Sequence, residues 1–530
     1  MTQADLLLVN GHVWTGRSIA AEAAPTMAEA VAVRGDRILA VGSPDDLQAL
    51  CSSATQRIDL EGRLVTPGFH DCHVHFAGGC LQLDRVQLKD ARDEAEFGRR
   101  LREFDRTLPA GAWMRGGHWD HDLTFGGTLP TAALIDRYVW KRPVFLQRYD
   151  GHMAVANSFA LRLAGVTAST AEPPGGRIVR YPETREPTGV LQDEAMGLVW
   201  RHIPDPTADE IAAALPAGLA LAARMGITSV HDMLGDAGPC LQAYRRLDER
   251  GELSLRLNLY WPIHRWQEAV EIRAAMRSER TRLCGVKAFV DGSLGSSTAW
   301  FHEPYAHQPE YCGFPVVELG ELAEQMRAAR AAGLQVAVHA IGDRAVSELL
   351  DARGGSLHHA RIEHAQHIRP QDVRRLAEAR VTASMQPYHA IDDARWMAER
   401  IGKARCAEAF AFRRLLDAGV PLAFGSDWPV APLDVMAGID AAVNRRTVDG
   451  RHLDGWHPEQ RVTVEEALHA YTVGAARAAL AANELGTIEA GKRADLVVLS
   501  RDVTEPGSGE AITEAEVVLT LVGGQVVCRR

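Results

Sequence analysis

The sequence predicts an α/β protein: a TIM-like (β/α)8 barrel, a small β-sandwich built from both termini, and an inserted α+β subdomain after the first barrel strand. Three observations predict it. Apolar runs alternate with Arg-, Glu- and Ala-rich helical stretches from Gly226 onward. Short β-like runs separated by turn residues occupy both ends of the chain. The first barrel strand ends near residue 75 and the second begins near residue 227, far more than one βα unit requires.

The barrel strands follow from the alternation, which is that of a parallel sheet. The runs are Ile227–Met233, Leu255–Trp261, Val286–Asp291, Leu334–Ala340, Ala360–Ala365, Val381–Gln386 and Val420–Ser426. Helical stretches such as Leu322–Ala332 and Gln371–Ala379 separate several of them. Arg63–Pro67, running into His73, is expected to be the first of eight strands, and eight βα units imply a closed barrel.

The ends read differently. Asp5–Val9, Ala30–Val33, Arg37–Val41 and Gln56–Leu60 are separated by turns such as Asn10-Gly11 and Gly35-Asp36. Leu496–Leu499, Val517–Val522 and Gln525–Cys528 repeat the texture, with Gly523-Gly524 as a hairpin turn. Neither end has enough strands for a stable two-layer core, so the two are expected to combine. The expected domains are 1–66 with 483–530 as the sandwich, 67–76 with 211–482 as the barrel, and 77–210 as an insertion on the active-site face.

Composition narrows the function classes. Of 530 residues, 58 are basic and 69 acidic, for a formal charge of -11, and 46% are apolar. That apolar content excludes a disordered chain, and 47 scattered glycines exclude collagen. With no basic block, nucleic acid is not the expected partner. The start, MTQADLLLVNGHVW, lacks the basic region of a signal peptide. The most apolar window, Ala212–Ala223, contains Pro216 and is too short to span a bilayer. Eight cysteines (Cys51, Cys72, Cys80, Cys240, Cys284, Cys312, Cys406 and Cys528) form no C-x-x-C pair and read as reduced thiols. The expected location is cytoplasmic, with a small-molecule substrate and no membrane partner.

The chemistry is concentrated at inferred strand ends. Pro67-Gly68-Phe69-His70-Asp71-Cys72-His73-Val74-His75 places His73 and His75 two apart, pointing the same way on an extended chain. Alone, the pair also reads as a polar strand end. His339, His364 and Asp427 close three further strands at the same barrel mouth. Four histidines and a carboxylate converging there read as a metal site, with zinc expected.

Lys287 lies in a strand that is apolar up to Asp291, and only five of the 58 basic residues are Lys. One reading is a salt bridge to Asp291 or Glu363. The sharper reading is that burial lowers its pKa and the neutral amine adds CO2, giving a carbamate able to bridge two metals.

Other residues are expected near the mouth. His152, Tyr388 and His389 are candidate oxyanion donors. Trp113, Trp119, Trp300 and Trp428 read equally as pocket lining or as packing of the inserted domain. Asp150-Gly151-His152 also reads as a turn, and His231 with Asp232 as supports of the ligands. Gly292–Ser297 lacks the ending of a phosphate-binding loop and reads as a mobile mouth loop.

These motifs resemble the amidohydrolase superfamily, in its YtcJ-like branch (amidohydrolase family 3), which includes N-substituted formamide deformylases. The resemblance spans nearly the whole chain. It rests on Pro67–His75, Arg148–His152 with Asn157-Ser158, Gly226–Asp232 and Lys287–Ser293. It continues through His339–Asp343, Arg361–His364, Ser384–Pro387, Gly425–Asp427 and Gly491–Leu496. It implies that His73, His75 and Asp427 hold a more buried metal, that His339 and His364 hold a more exposed one, and that carboxylated Lys287 bridges the two. Members keep one or two metals. The implied reaction is hydrolysis of a non-peptide C–N bond (amide, formamide, cyclic amide or carbamate), with Asp427 as base and then acid. A homodimer is implied by the resemblance alone. The ligand set is equally compatible with ester or lactone hydrolysis, decarboxylation or isomerisation. A non-catalytic regulatory protein on the same scaffold is a reading of another class.

Overall fold

Eight parallel strands lie side by side in chain order: β1 (Phe69–Val74), β2 (Ile227–Met233), β3 (Arg256–Pro262), β4 (Thr281–Phe289), β5 (Gln335–Ala340), β6 (Arg361–His364), β7 (Thr382–Met385) and β8 (Leu422–Phe424). The computed structural model describes residues 3–17, 27–149, 153–173, 176–235, 237–295, 297–352, 360–505 and 507–530. These fall into two units, Met1–Phe76 with Gly218–Arg530, and Ala77–Ala217.

β1, β2 and β5 are buried at every position, as expected of parallel strands covered on both faces. Helices pack outside them. Asp343–Asp351 buries Ala345, Val346, Leu349 and Leu350, one stripe at helical spacing. The sheet curls until β8 reaches β1. There the Asp427 amide donates to the His73 carbonyl at 2.7 Å, the His75 amide donates to the Trp428 carbonyl at 2.8 Å, and Val74 and Trp428 form a parallel bridge.

One expectation is corrected. Leu64–Pro67 is not a barrel strand. It pairs antiparallel with Leu496–Leu499 and parallel with His12–Trp14 in a six-stranded sheet completed by Met27–Ala28, Val517–Val522 and Gln525–Arg529. The chain changes sheets at Gly68. A Cβ there would lie 2.2 Å from the Thr228 hydroxyl, so only glycine lets β1 approach β2 this closely.

A four-stranded sheet of Arg37–Gly42, Ala30–Arg34, Leu6–Val9 and Gln56–Asp59 completes the sandwich. Leu6, Leu8, Val31, Val65, Leu496 and Leu519 share its core, so residues from both termini bury one another. Gly523 and Gly524, both at positive φ, form the two-residue hairpin. Arg256, at the start of β3, donates two hydrogen bonds to Asp495 at 2.6 and 2.9 Å, tying the sandwich to the foot of the barrel.

The second unit is an α+β layer. Its six-stranded mixed sheet orders Gly176–Arg180, Pro187–Asp193, Met153–Ala156, Val144–Arg148, Met114–Trp119 and Val86–Gln87. Trp119, expected as a possible pocket residue, is instead wholly buried in this unit's core beside Phe97, Leu146 and Val190, and its indole N–H donates to the Leu146 carbonyl at 2.8 Å. Trp113 packs against a neighbouring core cluster of the same unit. No helix among the described residues is long and apolar enough to cross a membrane.

Candidate metal centre

The ends of β1, β6 and β8 build the centre. Gly425 follows β8 where a Cβ would meet the Asp71 carboxylate at 2.5 Å and the His73 amide at 2.7 Å, so glycine is required for β8 to close on β1. Asp71 accepts from the His73 amide at 3.2 Å and the Ser426 amide at 2.9 Å, clipping the two strand ends together. Burial raises its carboxyl to about 6. Asp427 then turns into the mouth with φ +61°.

Each histidine spends one ring nitrogen on a defined partner. His73 donates from Nδ1 to Glu363 Oε2 at 2.5 Å, and His75 donates from Nδ1 to the Met233 carbonyl at 2.9 Å. His364 Nδ1 is 2.8 Å from Gln386 Oε1. His339 donates from Nε2 to the Gly292 carbonyl at 3.1 Å. These bonds fix the tautomers and leave the opposite nitrogen of each ring with its lone pair.

The free atoms converge. His73 Nε2 and His75 Nε2 lie 3.6 and 3.5 Å from Asp427 Oδ1. His73 Nε2 and Asp427 Oδ1 are buried without a hydrogen-bond partner among the described residues. Such atoms are costly unless something else binds them. Ligand atoms each about 2.0–2.2 Å from a tetrahedral zinc are roughly 3.4 Å apart, so the spacing fits one divalent cation. A second group, His364, His389 and Asp427, likewise brings its ligand atoms within 4.8 Å of one another.

Electrostatics keeps the histidines neutral, as ligands must be. Burial, followed by the charge of Lys287, lowers His73 well below its usual value and His75 to about 4. The same two causes lower His339 to about 3. Burial and the neighbouring histidines His339 and His73 lower His364. Lys287 is 4% exposed, with Nζ 4.2 Å from the centre of the Phe289 ring. Burial pushes its ammonium pKa down and that of the Asp427 carboxyl up, while the attraction between their opposite charges works against both shifts.

The expected residues are distributed unevenly. His73, His75 and Asp427 form one compact group. His364 joins Asp427 through His389, which the sequence suggested only as an oxyanion donor. His339 packs on His364 with ring centroids 4.5 Å apart but stands outside both three-residue groups. Tyr388 is half-buried beside His389 on the helix Pro387–Asp393. Trp428 is buried against Phe76, with ring centroids 5.7 Å apart. Trp300 is buried beneath the Arg344 guanidinium. His152 lies outside the described residues, as does Ser296 of the Gly292–Ser297 loop.

Both carboxylates suggested as partners of Lys287 are engaged by other groups, and the charge of Glu363 also favours the Lys287 ammonium. Asp291 accepts from the amides of Trp300, Ile341 and Gly342 at 2.8, 3.0 and 2.8 Å. Glu363 accepts from His73, Ser384 and Arg361. Arg361 is wholly buried and also reaches the Cys72 carbonyl, Tyr260 and His231. Asp232 accepts from the Phe76 amide and the Tyr244 hydroxyl.

The Arg361–Glu363 network escaped the reading of the sequence. Its available signal was a pair of opposite charges two apart on a short strand, flanking Ile362. Adjacent residues of a strand normally face opposite sides, so Glu363 and His364 would not be expected to serve one site. Positive φ at His364 (+71°) and Ala365 (+43°) ends the strand and accompanies the turn of His364 into the mouth.

Known proteins resemble this chain along nearly its whole length. The profile described as "Amidohydrolase family" matches residues 56–528. The chain is 38% identical to Protein LONG AFTER FAR-RED 3 of Arabidopsis thaliana, over 98% of this chain and 91% of that one. It is 28% identical to the N-substituted formamide deformylase of Arthrobacter pascens, over 99% and 98% of the two chains. A crystal structure of an uncharacterized metal-dependent hydrolase from Pyrococcus furiosus superimposes with a TM-score of 0.77 at 30% identity, covering 94% of this chain and 100% of that one.

Proposed function

The chain belongs to the amidohydrolase family, and from that premise we propose that it is a metal-dependent hydrolase cleaving a non-peptide C–N bond of a small molecule: an amide, formamide, cyclic amide or carbamate. The observation that carries this reading is the pair of orphaned buried atoms, His73 Nε2 and Asp427 Oδ1, facing each other at 3.6 Å. The 28% identity to a deformylase supports the bond type.

In this reading His73, His75 and Asp427 hold one divalent cation, zinc in the first instance. His339 and His364 would hold a second, with His389 as a further candidate ligand, and a carbamate formed from Lys287 and CO2 would serve both. When bound, such a cation supplies Lewis acidity and lowers the pKa of water from 15.7 to about 7.

The chain's own groups do the rest. Asp427 accepts the proton of the attacking water at its carboxylate and returns it to the departing nitrogen. Glu363 and the Met233 carbonyl hold the rings of His73 and His75 in register throughout. Tyr388 stands on the same helix as His389 and is a candidate donor to the developing oxyanion.

The test is elemental analysis of the purified protein together with a panel of formamides, anilides, cyclic amides and aryl esters. The expected result is at least one equivalent of metal, C–N turnover that a chelator abolishes, and recovery on adding zinc. Turnover confined to esters would overturn the bond assignment. Less than about half an equivalent of metal, with no metal-restored activity on any substrate, would favour a regulatory protein instead.

A further inference from the structure

A cavity of about 640 Å3 opens beside Lys287, between the ends of β2, β3 and β4 and the start of the helix Leu319–Ala331. Lys287 is among its lining residues, and Phe289, whose ring centre lies 4.2 Å from Lys287 Nζ, joins the cavity to the candidate metal centre. Its walls are apolar: Leu234, Ile263, Phe289, Val316 and Val317. Three of these are unusually exposed for large hydrophobic side chains, Phe289 at 44%, Val316 at 46% and Val317 at 37%. Scattered exposed hydrophobics need no explanation, but three gathered on one concave wall beside a reactive centre mark a binding surface.

The walls are held in place. Phe289 lies two residues after Lys287 on β4, and its ring centroid is 5.2 Å from that of His339. The Val316 amide donates to the Val290 carbonyl at 2.8 Å, fastening the outer wall to the strand end. Glu318 caps the following helix by accepting from the amides of Gly320 and Glu321 at 3.0 and 2.6 Å. The polar lining groups are Lys287, His264, Glu318, Glu321 and Gln325, of which His264, Glu318 and Glu321 are exposed.

We propose that this cavity receives an uncharged apolar substituent of the substrate, an aryl or medium-length alkyl group attached to the scissile function. Phe289 and Val317 then set specificity. The inference rests on the hydrolytic reading above and names the substrate class that reading leaves open. Burying such a substituent against preformed apolar walls strengthens binding in proportion to the area covered, and the bond to be cut is delivered beside Lys287 and His339.

The test uses the metal-loaded protein and two variants, Phe289→Ala and Val317→Asp. Val317 is surface-exposed, so its variant keeps the test decisive if loss of Phe289 disturbs the fold. Two readouts are taken with metal content: kcat/KM for N-(4-phenylbutyl)formamide relative to N-methylformamide, and calorimetric binding of 4-phenylbutan-1-ol, which cannot be hydrolysed. The expected result is a preference for the larger formamide that falls about tenfold or more in both variants, with weakened alcohol binding and unchanged metal.

Unchanged preference and alcohol affinity in both variants would remove the cavity from substrate recognition while leaving the hydrolytic reading intact. Alcohol binding that Val317→Asp abolishes, in a protein that turns over no amide, would uphold the cavity and overturn the hydrolytic reading.

Discussion

His73 and Glu363 share a 2.5 Å hydrogen bond between Nδ1 and Oε2, with both side chains almost fully removed from solvent. The carboxylate is itself gripped by Arg361 at 2.5 and 3.1 Å and by the Ser384 hydroxyl at 2.7 Å. A carboxylate so placed orients the imidazole and raises its basicity toward a cation at Nε2. The guanidinium in turn neutralises a charge that could not otherwise be buried.

Glu363→Gln keeps the shape of this contact and removes its charge. The expected outcome is a metal affinity weakened about 10–100-fold, with His73, His75 and Asp427 all present. Competition against a chelator of known affinity measures it. Wild-type affinity would show that Glu363 supports the fold alone.

Asp427→Asn tests the proton carrier. The variant is expected to retain metal and lose kcat by about 10²-fold or more. Near wild-type kcat with full metal would remove Asp427 from the base role.

Lys287→Ala tests the bridge. Metal content is expected to fall, and acetate or propionate at high concentration is expected to restore part of both metal binding and turnover, since a free carboxylate then occupies the place of the carbamate. Two equivalents of metal retained without any added acid would exclude the bridging role.

His367 gives a pH prediction away from the candidate ligands. It is buried against Phe301, with ring centroids 5.1 Å apart, and burial followed by the charge of Arg405 lowers it to about 3. An unfolded imidazole titrates near 6.5. Below that pH the unfolded chain binds a proton that the folded chain refuses, so stability falls as pH drops from 6.5 toward 3. At roughly 1.36 kcal/mol per pH unit the loss reaches about 2 kcal/mol at pH 5. Above pH 6.5 the ring is neutral in both states and contributes nothing of this kind. His367→Leu is therefore expected to flatten the decline in urea midpoint between pH 6.5 and 5 relative to wild type. Parallel declines in the two proteins would show that the buried ring takes up no proton on unfolding.

Much of this protein was legible without coordinates. Alternating apolar and helical stretches record burial, and burial on both faces is what a parallel barrel imposes on its strands. Ligand-type residues at the ends of those runs therefore pointed to one mouth. The Gly523-Gly524 turn and the paucity of strands at either end pointed to one composite sandwich. What the pattern does not record is the partner of a buried strand. Leu64–Pro67 and Phe69–Val74 are both buried and adjacent, and only the close packing at Gly68 assigns them to different sheets. Trp119 is aromatic whether it lines a pocket or fills a core, and the Leu146 carbonyl decides for the core. Nor does residue order reveal a left-handed backbone at His364 or the approach of His389 from the next βα unit. The sequence by itself determined the barrel, the sandwich and the chemical type of the mouth, because hydrophobic periodicity and residue chemistry are local. The tertiary structure alone decided which histidines meet Asp427, which carboxylate steadies His73 and where the apolar cavity opens, because those depend on distances between strands remote along the chain.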